Sequence, residues 1–194
     1  SERRFSDRRH ELADSLWQDK VLVRRFNRGD IDALRRIYAR YRVDLVTLAT
    51  ALLFDKAQAE DVVHEVFARL MRNGDTIRIT SNLRGYLLRA VANTARNMNR
   101  LRRGSDLSQA DTDGPDLRVV SSPDGQAMQA EHCEMLPAAL EQLPYEQREV
   151  VLLRHYGGLR FKAIAKCQGV SVGTAQARYR YGMDKLRSLL DGDL

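Results

Sequence analysis

The most suggestive chemistry in the sequence lies near the C-terminus, where polar side chains recur along one predicted helix. The segment SVGTAQARYRYGMDKLR, residues 171–187, begins with a serine suited to capping a helix and then places Arg, Gln or Tyr at nearly every second position. Arginine and glutamine can make paired hydrogen bonds to base edges in the major groove, worth roughly 1–3 kcal/mol of discrimination each. The N–H groups of the first turn, beside Ser171 and Thr174, can receive a phosphate. This segment therefore predicts a helix that contacts duplex DNA.

A projection of this helix at about 100° per residue separates a core face from a polar face. The polar face centres on Thr174, Ala177 and Tyr181. Gln176 and Arg180 border it on one side, and Arg178 and Lys185 border it on the other. The residues predicted to face the core are Ala175, Tyr179, Gly182, Met183, Leu186 and Leu190. We therefore expect Tyr179 to pack inside the protein rather than against a base.

Two shorter helices are predicted to position this segment. One has Pro144 at its first helical position and stops at Gly157 and Gly158. The stretch RFKAIAKCQ forms the second, and Gly169 makes the turn before the Ser171 cap. With the small Ala165 four residues before that glycine, this pattern is typical of a helix-turn-helix. A purely structural helical hairpin stays open at this point.

A second candidate surface is a run of arginines in the first half. Residues 78–103 contain seven arginines and no carboxylate. Solvated helix faces usually mix signs, since opposite charges at i, i+4 stabilise a helix by roughly 0.2–0.5 kcal/mol per pair. A one-signed surface points to an external anion, and the interleaved Asn93, Asn97 and Asn99 add groups that can hydrogen-bond a base edge. On charge alone, an ordinary solvated face remains an equal alternative.

Apolar residues of the first half recur every three or four positions, which predicts helices rather than strands. An early helix is expected over residues 12–27. Asp30 is predicted to cap the next, whose buried stripe holds Ile31, Leu34, Ile37, Tyr41, Leu45, Leu48 and Leu52. A helix from about residue 57 to 72 is expected to bury Val62, Val63, Val66, Phe67, Leu70 and Met71. Another begins at Ser81 or Asn82 and ends near Arg103.

Charge is unevenly distributed along the 194 residues, whose formal net charge is +6. Residues 1–103 carry +9, residues 104–130 carry −4 and residues 131–194 carry +1. The middle stretch combines Gly, Ser, Pro and Asp, a composition typical of linkers. The sequence therefore predicts an all-α protein with two helical domains, 1–103 and 131–194, joined by a flexible acidic linker, 104–130. Its basic balance favours an anionic partner.

Several other classes of protein are disfavoured. The sequence has no glycine-rich phosphate loop, its four histidines are scattered, and Cys133 and Cys167 lack metal-ligand spacing, so we expect no enzyme, metal or cofactor. Without an apolar run of membrane-spanning length or a signal peptide, a cytoplasmic protein is expected. A stand-alone helix-turn-helix regulator is the main alternative, although such regulators usually dimerise and no dimerisation heptad is visible. A protein-binding adaptor would not explain the arginine run.

Four blocks of the sequence resemble, in order and spacing, a bacterial RNA polymerase sigma factor of the extracytoplasmic-function (ECF) group. They read LVRRFNRGDIDALRRIYARY, AEDVVHEVFARL, NLRGYLLRAVANTARNMNRLRR and LEQLPYEQREVVLLRHYGGLRFKAIAKCQGVSVGTAQARYRYGMDKLRSLL. The first three resemble parts of the sigma-2 domain and the last resembles the sigma-4 domain. This resemblance implies a transcription initiation factor whose partners are promoter DNA and core RNA polymerase, through its beta-prime clamp and beta flap. The existence of an anti-sigma factor as a further partner stays open at this point.

The resemblance also implies roles for individual residues. Polymerase contacts are implied for Asp61, His64 and Glu65, in the block that docks on the clamp. Asn93 would hold an unstacked base of the minus-10 element, in a pocket formed with the loop 74–82. The full minus-10 set is Ile77, Arg84, Arg89, Asn93, Arg96, Asn97 and Arg100. The minus-35 set is Ser171, Thr174, Gln176, Ala177, Arg178, Arg180 and Tyr181, with Arg178 expected to meet phosphate.

Two departures and the linker qualify this resemblance. Tyr86 stands where relatives commonly carry Trp, and Gln176 stands where they commonly carry Lys or Arg. The second departure predicts a different preference at one minus-35 base. In the family the acidic segment threads toward the polymerase active site and RNA exit channel. A disordered spacer, held off the duplex by its own charge, is the simpler expectation for its individual residues.

Overall fold

The computed structural model describes residues 17–74, 78–79, 82–106 and 130–191. Within these ranges all regular structure is helical, which confirms the all-α prediction. The helices are α1 (residues 17–26), α2 (Ile31–Leu53), α3 (Lys56–Arg72), α4 (Leu83–Asp106), α5 (Ala130–Glu141), α6 (Tyr145–His155), α7 (Phe161–Gln168) and α8 (Val172–Asp191). Most of the predicted acidic linker, residues 107–129, and the predicted site residue Ile77 lie outside the described residues.

Packing divides the chain into two compact units. The first unit comprises Ser1–Thr50 and Asp55–Thr94, and the second comprises Ala51–Phe54 and Ala95–Leu194. The divisions at Thr50 and Thr94 therefore fall inside α2 and α4. The sequence predicts a division of the chain by function, with a boundary at residue 103, and this functional boundary stays a prediction.

Side-chain caps explain where the helices of the first unit begin. The Asp30 Oδ1 atom accepts a hydrogen bond from the Ala33 N–H at 3.1 Å, as the sequence predicted. Asp55, for which no cap was predicted, caps α3 by accepting from the Gln58 N–H at 3.0 Å. Asn82 caps α4 through the Gly85 N–H at 3.2 Å.

The predicted apolar stripes form the core of the first unit, with two exceptions. Ile31 is 59% exposed and Met71 is 62% exposed, so the prediction that both are buried is wrong. Ile31 is the first residue of α2 and Met71 lies in the last turn of α3, where the packed stripes end. Both side chains line a shallow surface cavity together with Phe26 and Leu34. The buried residues include Leu34, Ile37, Tyr41, Leu45, Leu48, Val62, Val63, Val66, Phe67, Leu70, Leu83, Leu87, Leu88 and Val91.

The second unit is built around α8, which packs against α5, α6 and α7. Gly182 permits a close approach, because a Cβ atom at this position would lie 3.0 Å from Val151 Cγ2. Leu190 is 37% exposed, and its predicted burial is wrong because it lies one turn beyond Leu186, which is buried. Pro144 is the N-cap of α6 rather than its first helical residue, since its ψ of 140° is extended.

Arg148 explains why the last residues of α2 belong to the second unit. Its side chain is 8% exposed, and its Nη2 donates to the Leu52 carbonyl at 2.7 Å. The guanidinium also lies 4.6 Å from the centroid of the Phe54 ring. A cation at a helix C-terminus is favourable because it meets carbonyls that have no partner within the helix. Arg148 thereby fixes the end of α2 against α6.

None of the described helices is both long enough and apolar enough to cross a membrane. In the same part of the chain, no three His, Cys, Asp or Glu side chains are grouped so that they could hold a metal ion.

Candidate nucleic-acid interface

The turn between α7 and α8 has the geometry expected of a helix-turn-helix. Gly169 adopts the left-handed conformation with φ of 68°, and its N–H donates to the Ala165 carbonyl. The Val170 N–H donates to the same carbonyl at 3.0 Å. Ser171 Oγ then accepts from the Thr174 N–H at 3.0 Å, which caps α8 as predicted. The glycine and the serine together fix the angle at which α8 leaves α7.

One turn after its N-terminus, α8 presents a continuous surface, which we call the reading face. It consists of Gln176, Ala177, Arg180 and Tyr181. Gln176 and Arg180 are exposed, and Ala177 is half-buried. Tyr181 is 57% exposed, and its ring lies 5.3 Å from the Arg180 guanidinium. Ala177 leaves space between the longer side chains. The reading face therefore offers donors and acceptors of the kind that bind base edges in the major groove.

The opposite side of α8 holds the reading face in place. Ala175, Gly182 and Leu186 are buried. Tyr179 stacks on His155 with ring centroids 5.5 Å apart, and its hydroxyl lies 2.7 Å from His155 Nε2. Phe161 packs edge-on against the same ring at 5.3 Å. Tyr179 thus packs against its neighbours within the unit, and it is half-buried rather than fully enclosed.

Arg178, predicted to meet phosphate, is half-buried and has a protein partner. Its Nη1 donates to Gln168 Oε1 at 2.9 Å. Gln168 in turn donates through Nε2 to Glu149 Oε2 at 2.8 Å and to the Glu146 carbonyl at 2.9 Å. A phosphate contact by Arg178 would therefore require its bond to Gln168 to be exchanged.

Arg96, one of the predicted minus-10 residues, makes several contacts with the protein itself. Its Nε donates to Glu149 Oε2 at 3.2 Å, its Nη2 donates to Glu149 Oε1, and its Nη1 donates to the Cys167 carbonyl at 2.7 Å. The Glu149 side chain is fully buried, whereas that of Arg96 is 27% exposed. These contacts lie within the second unit. In this arrangement the guanidinium is occupied by the protein, so its predicted role on DNA requires it to leave Glu149.

The environment of Glu149 affects its ionisation. Burial raises the pKa of the Glu149 carboxyl above the ordinary value for glutamate, although the hydrogen bonds from Arg96 and Gln168 act in the opposite direction. For Arg96, burial lowers the pKa, but the hydrogen bond and charge of Glu149 outweigh it, so the pKa is raised. The arginine therefore stays charged wherever the two side chains meet.

The other predicted minus-10 residues on α4 differ in exposure, and Arg84 and Arg89 are half-buried. Arg84 Nε lies 3.4 Å from Asp44 Oδ2, and Arg89 Nε donates to the Gly85 carbonyl at 3.0 Å. Asn93, Asn97 and Arg100 are exposed. The structure thus brings the three exposed side chains onto successive turns of one helix.

The predicted polymerase contacts lie on α3, and all three are exposed: Asp61, His64 and Glu65. The His64 ring stacks on Tyr38, and its Nε2 lies 3.1 Å from the Tyr38 hydroxyl. Glu65 Oε1 accepts from Arg72 Nη2 at 3.1 Å. Because exposed ion pairs contribute only about 0–1 kcal/mol, this last contact presents little barrier to an exchange of partners.

Sequence reasoning missed Glu149 and Gln168, which bind two of the predicted DNA-contacting arginines. A signal for Glu149 was present, because it lies four residues after Tyr145 and four before Leu153, both of which are buried. On a helix these positions share one face, so a carboxylate there had to be buried and needed a cation. Nothing near Glu149 in sequence identifies Arg96 as that cation.

Two family models match this chain. The model described as Sigma-70 region 2 matches residues 37–105, and the model described as Sigma-70, region 4 matches residues 133–186. The chain belongs to the sigma-70 family. The second match contains the whole reading face, and the first contains α3 and nearly all of α4.

Curated relatives agree with this assignment. The ECF RNA polymerase sigma-E factor of Escherichia coli K12 is 29% identical over 168 residues, covering 82% of this chain and 87% of the relative. The RNA polymerase sigma-H factor of Pseudomonas aeruginosa is 28% identical over 170 residues, covering 83% and 88%. As a sigma factor, this protein binds core RNA polymerase and promoter DNA and directs transcription initiation. It is not an enzyme, as the sequence predicted.

Solved structures support the fold. CnrH, in a complex with the cytosolic domain of CnrY, aligns with a TM-score of 0.64 at 24% identity and covers 91% of this chain and 99% of that one. RpoE from Bartonella quintana, in a complex with the anti-sigma factor NepR, aligns with a TM-score of 0.65 at 22% identity and covers 82% and 98%.

Proposed function

We propose that this ECF sigma factor reads the minus-35 element as duplex DNA with α8 and the minus-10 element as an opened single strand with α4. The proposal assigns minus-10 recognition and polymerase docking to residues 1–103 and minus-35 recognition to residues 131–194, with residues 104–130 as the tether. One observation carries it. Gln176, Arg180 and Tyr181 are exposed together on a helix whose opposite side is buried and whose N-terminus is capped.

At the minus-35 element, the reading face would enter the major groove. Arg180 is suited to a guanine edge and Gln176 to an adenine edge, each worth roughly 1–3 kcal/mol of discrimination. Ser171 and Thr174 lie at the start of α8 and would approach the phosphate backbone. Arg178 would join them by exchanging Gln168 for a phosphate, since its guanidinium is only half-buried.

At the minus-10 element, α4 would bind the non-template strand. Asn93 is exposed and its amide would hold an unstacked base, and Asn97 and Arg100 continue the same surface. Arg84, Arg89 and Arg96 would follow the backbone after exchanging their protein partners for phosphates. Because opened DNA is flexible, base capture of this kind works best when polymerase holds the strand.

Polymerase docking is assigned to α3. Asp61 and Glu65 provide exposed negative charge and His64 an exposed ring, which would meet the beta-prime clamp. The beta flap would hold the residues 131–194. An anti-sigma factor is a further proposed partner, since two of the solved structures that align are complexes with CnrY and with the anti-sigma factor NepR.

Run-off transcription with purified core polymerase on a promoter library tests the proposal. The chain alone is expected to bind duplex promoters weakly, and addition of core polymerase is expected to give specific, strand-opened complexes. Opening of the minus-10 region would be followed by the reactivity of unpaired thymines toward permanganate.

Two results would contradict the proposal. Tight, sequence-specific binding by a homodimer without polymerase would favour a stand-alone regulator. Transcription that starts without opening of the minus-10 region, or that is insensitive to its sequence, would remove α4 from recognition.

A triple change of Asp61, His64 and Glu65 to alanine tests polymerase docking. It should reduce binding to core polymerase while leaving the fold intact, because all three side chains are exposed.

A further inference from the structure

Asn27 makes an unusual contact with the segment that precedes α4. Its Nδ2 donates to the Ile79 carbonyl at 3.1 Å, and its Oδ1 accepts from the Ile79 N–H at 3.1 Å. One side-chain amide therefore satisfies both backbone groups of a residue 52 positions away. Among side chains of this length, only asparagine offers a donor and an acceptor together. The contact lies within the first unit.

The turn that carries Asn27 is itself held by several bonds. Gly29, with φ of 85°, donates its N–H to the Phe26 carbonyl at 2.8 Å. Arg25 Nε lies 2.6 Å from Asp30 Oδ2 in an ion pair across the turn. Asp30 also caps α2. Because both flanking helices are tied to this turn, Asn27 is a fixed point rather than a mobile one.

On the other side of the contact, the buried Ile79 directly follows an exposed arginine. Its side chain is 3% exposed, whereas the neighbouring Arg78 is exposed. Three residues after Ile79, Asn82 caps α4. The Asn27 amide therefore holds the backbone next to the exposed Arg78, at the point where the arginine-rich surface begins.

We infer that Asn27 is a positioning residue for minus-10 recognition, which holds Ile79 so that Arg78 contacts the non-template strand. This inference rests on the proposed function, in which α4 binds that strand. An arginine whose backbone is held in place can direct its guanidinium at particular base edges. An arginine on an unrestrained backbone contributes its charge alone. Asn27 thus acts through Arg78 and makes no contact with DNA itself.

The test is selection from a promoter library with a constant minus-35 element and a randomised minus-10 element, using holoenzyme assembled from core polymerase and the full chain. Asn27→Leu keeps the shape of the side chain and removes both bonds. Asn27→Asp keeps an acceptor for the Ile79 N–H and loses the donor. We expect Asn27→Leu to reduce minus-10 discrimination about tenfold, as one well-placed polar contact would. Asn27→Asp should fall between Asn27→Leu and the wild type.

Controls separate positioning from folding and from direct contact. Asn73→Ala makes a similar polar-to-apolar change at an exposed residue just after α3 and should leave the minus-10 profile unchanged. Arg78→Ala should reproduce the profile of Asn27→Leu, and the double change should add little to either. Affinity for core polymerase and preference at the minus-35 element should stay within about twofold of wild type in every variant.

The outcomes are distinguishable. If wild-type holoenzyme selects no minus-10 sequence, the proposed function fails. If wild type selects a sequence and both Asn27 variants select the same one as strongly, only the role of Asn27 is overturned. Additive losses from Asn27→Leu and Arg78→Ala would likewise overturn it. Should Asn27→Leu fail to fold, the Asn27→Asp and Arg78→Ala profiles decide, and an unchanged profile in both contradicts the inference.

Discussion

Two polar surfaces of this protein carry similar residues and differ in how those residues are held. On α8, the Gln176 and Arg180 side chains are exposed and the helix behind them is packed. On α4, Arg84, Arg89 and Arg96 each bond to protein oxygens, while Arg100 is exposed. The reading face of α8 is therefore available to a ligand as it stands, whereas much of the α4 surface must first exchange partners.

The difference follows from what lies opposite each surface. The carboxylates that meet Arg84 and Arg96 come from Asp44 and Glu149, which are distant in sequence. An arginine with a buried carboxylate partner has a strong competitor to any phosphate, whereas one with an exposed partner does not. Binding of α4 to DNA is thus expected to depend on a change that releases Arg96, and binding of α8 is not.

The largest expected effect comes from removing the buried partner on the α4 side. Glu149→Ala should lower the free energy of unfolding by roughly 3 kcal/mol, because it leaves Arg96 partly buried without its carboxylate. Urea denaturation measures this loss. Asp44→Ala is the matched control, and it should cost less than about 1 kcal/mol because the Asp44 and Arg84 side chains are 44% and 34% exposed. Equal losses from the two changes would show that burial does not distinguish these pairs.

A smaller effect is expected from disturbing the buried side of α8. Gly182→Val should lower the free energy of unfolding by roughly 1–3 kcal/mol. A Cβ atom at this position would already lie 3.0 Å from Val151 Cγ2 and 3.3 Å from Leu143 Cδ2, so the two methyl groups of valine would clash with these side chains. Gly173→Ala provides the control, since the nearest atom to its Cβ would be Ser171 Oγ at 3.8 Å. Thermal unfolding of both variants compares them. A Gly182→Val protein as stable as wild type would mean that α8 does not depend on this approach.

The exposed end of the α4 surface should behave as a plain cation. Arg100→Ala is expected to weaken promoter binding by a similar factor on every sequence and to reduce the slope of log affinity against log salt by about 1. Titration of holoenzyme with several promoters at different salt concentrations measures both quantities. A loss confined to one base position would instead assign Arg100 to a base.

The smallest expected effect is a dependence on pH. Because burial raises the pKa of Glu149, the folded state holds this proton more tightly than the unfolded chain does. Its contribution to stability is present below the ordinary glutamate pKa of about 4.3 and is lost as the pH rises through the raised value. Glu149→Gln should remove this part of the pH dependence of unfolding. If the free energy of unfolding of the wild type changes with pH in parallel with that of Glu149→Gln, the raised pKa assigned to Glu149 is contradicted.

Periodicity and capping made much of the fold predictable. The spacing of Leu34, Ile37 and Leu45 identified α2 and its buried side, and Asp30 and Ser171 cap helices as predicted. Asn82, one of the two predicted start positions of α4, proves to be its cap. The polar face of α8 followed from the same geometry, because local spacing determines which side chains share a helix face. The burial predictions were wrong at helix ends. There Ile31, Met71 and Leu190 continue the apolar spacing of their helices, but no other element of the described chain packs over them and they are exposed.

Contacts between distant residues were not predictable in this way. The pairing of Arg96 with Glu149 spans 53 positions, and the pairing of Asn27 with Ile79 spans 52. Both depend on how helices pack, which a periodic pattern does not specify. A count of arginines therefore identified a charged surface on α4 but not which of its guanidinium groups face solvent.

The reading face is the part of the comparison that can be tested most directly. Holoenzymes containing wild-type protein, Arg180→Ala and Arg100→Ala would be used to select from a library randomised in the minus-35 element. Arg180→Ala should lose roughly 1–3 kcal/mol of discrimination at one base position and keep the others, while Arg100→Ala keeps the whole wild-type profile. An Arg180→Ala profile identical to wild type, or a uniform loss at every position, would contradict base recognition by this face of α8.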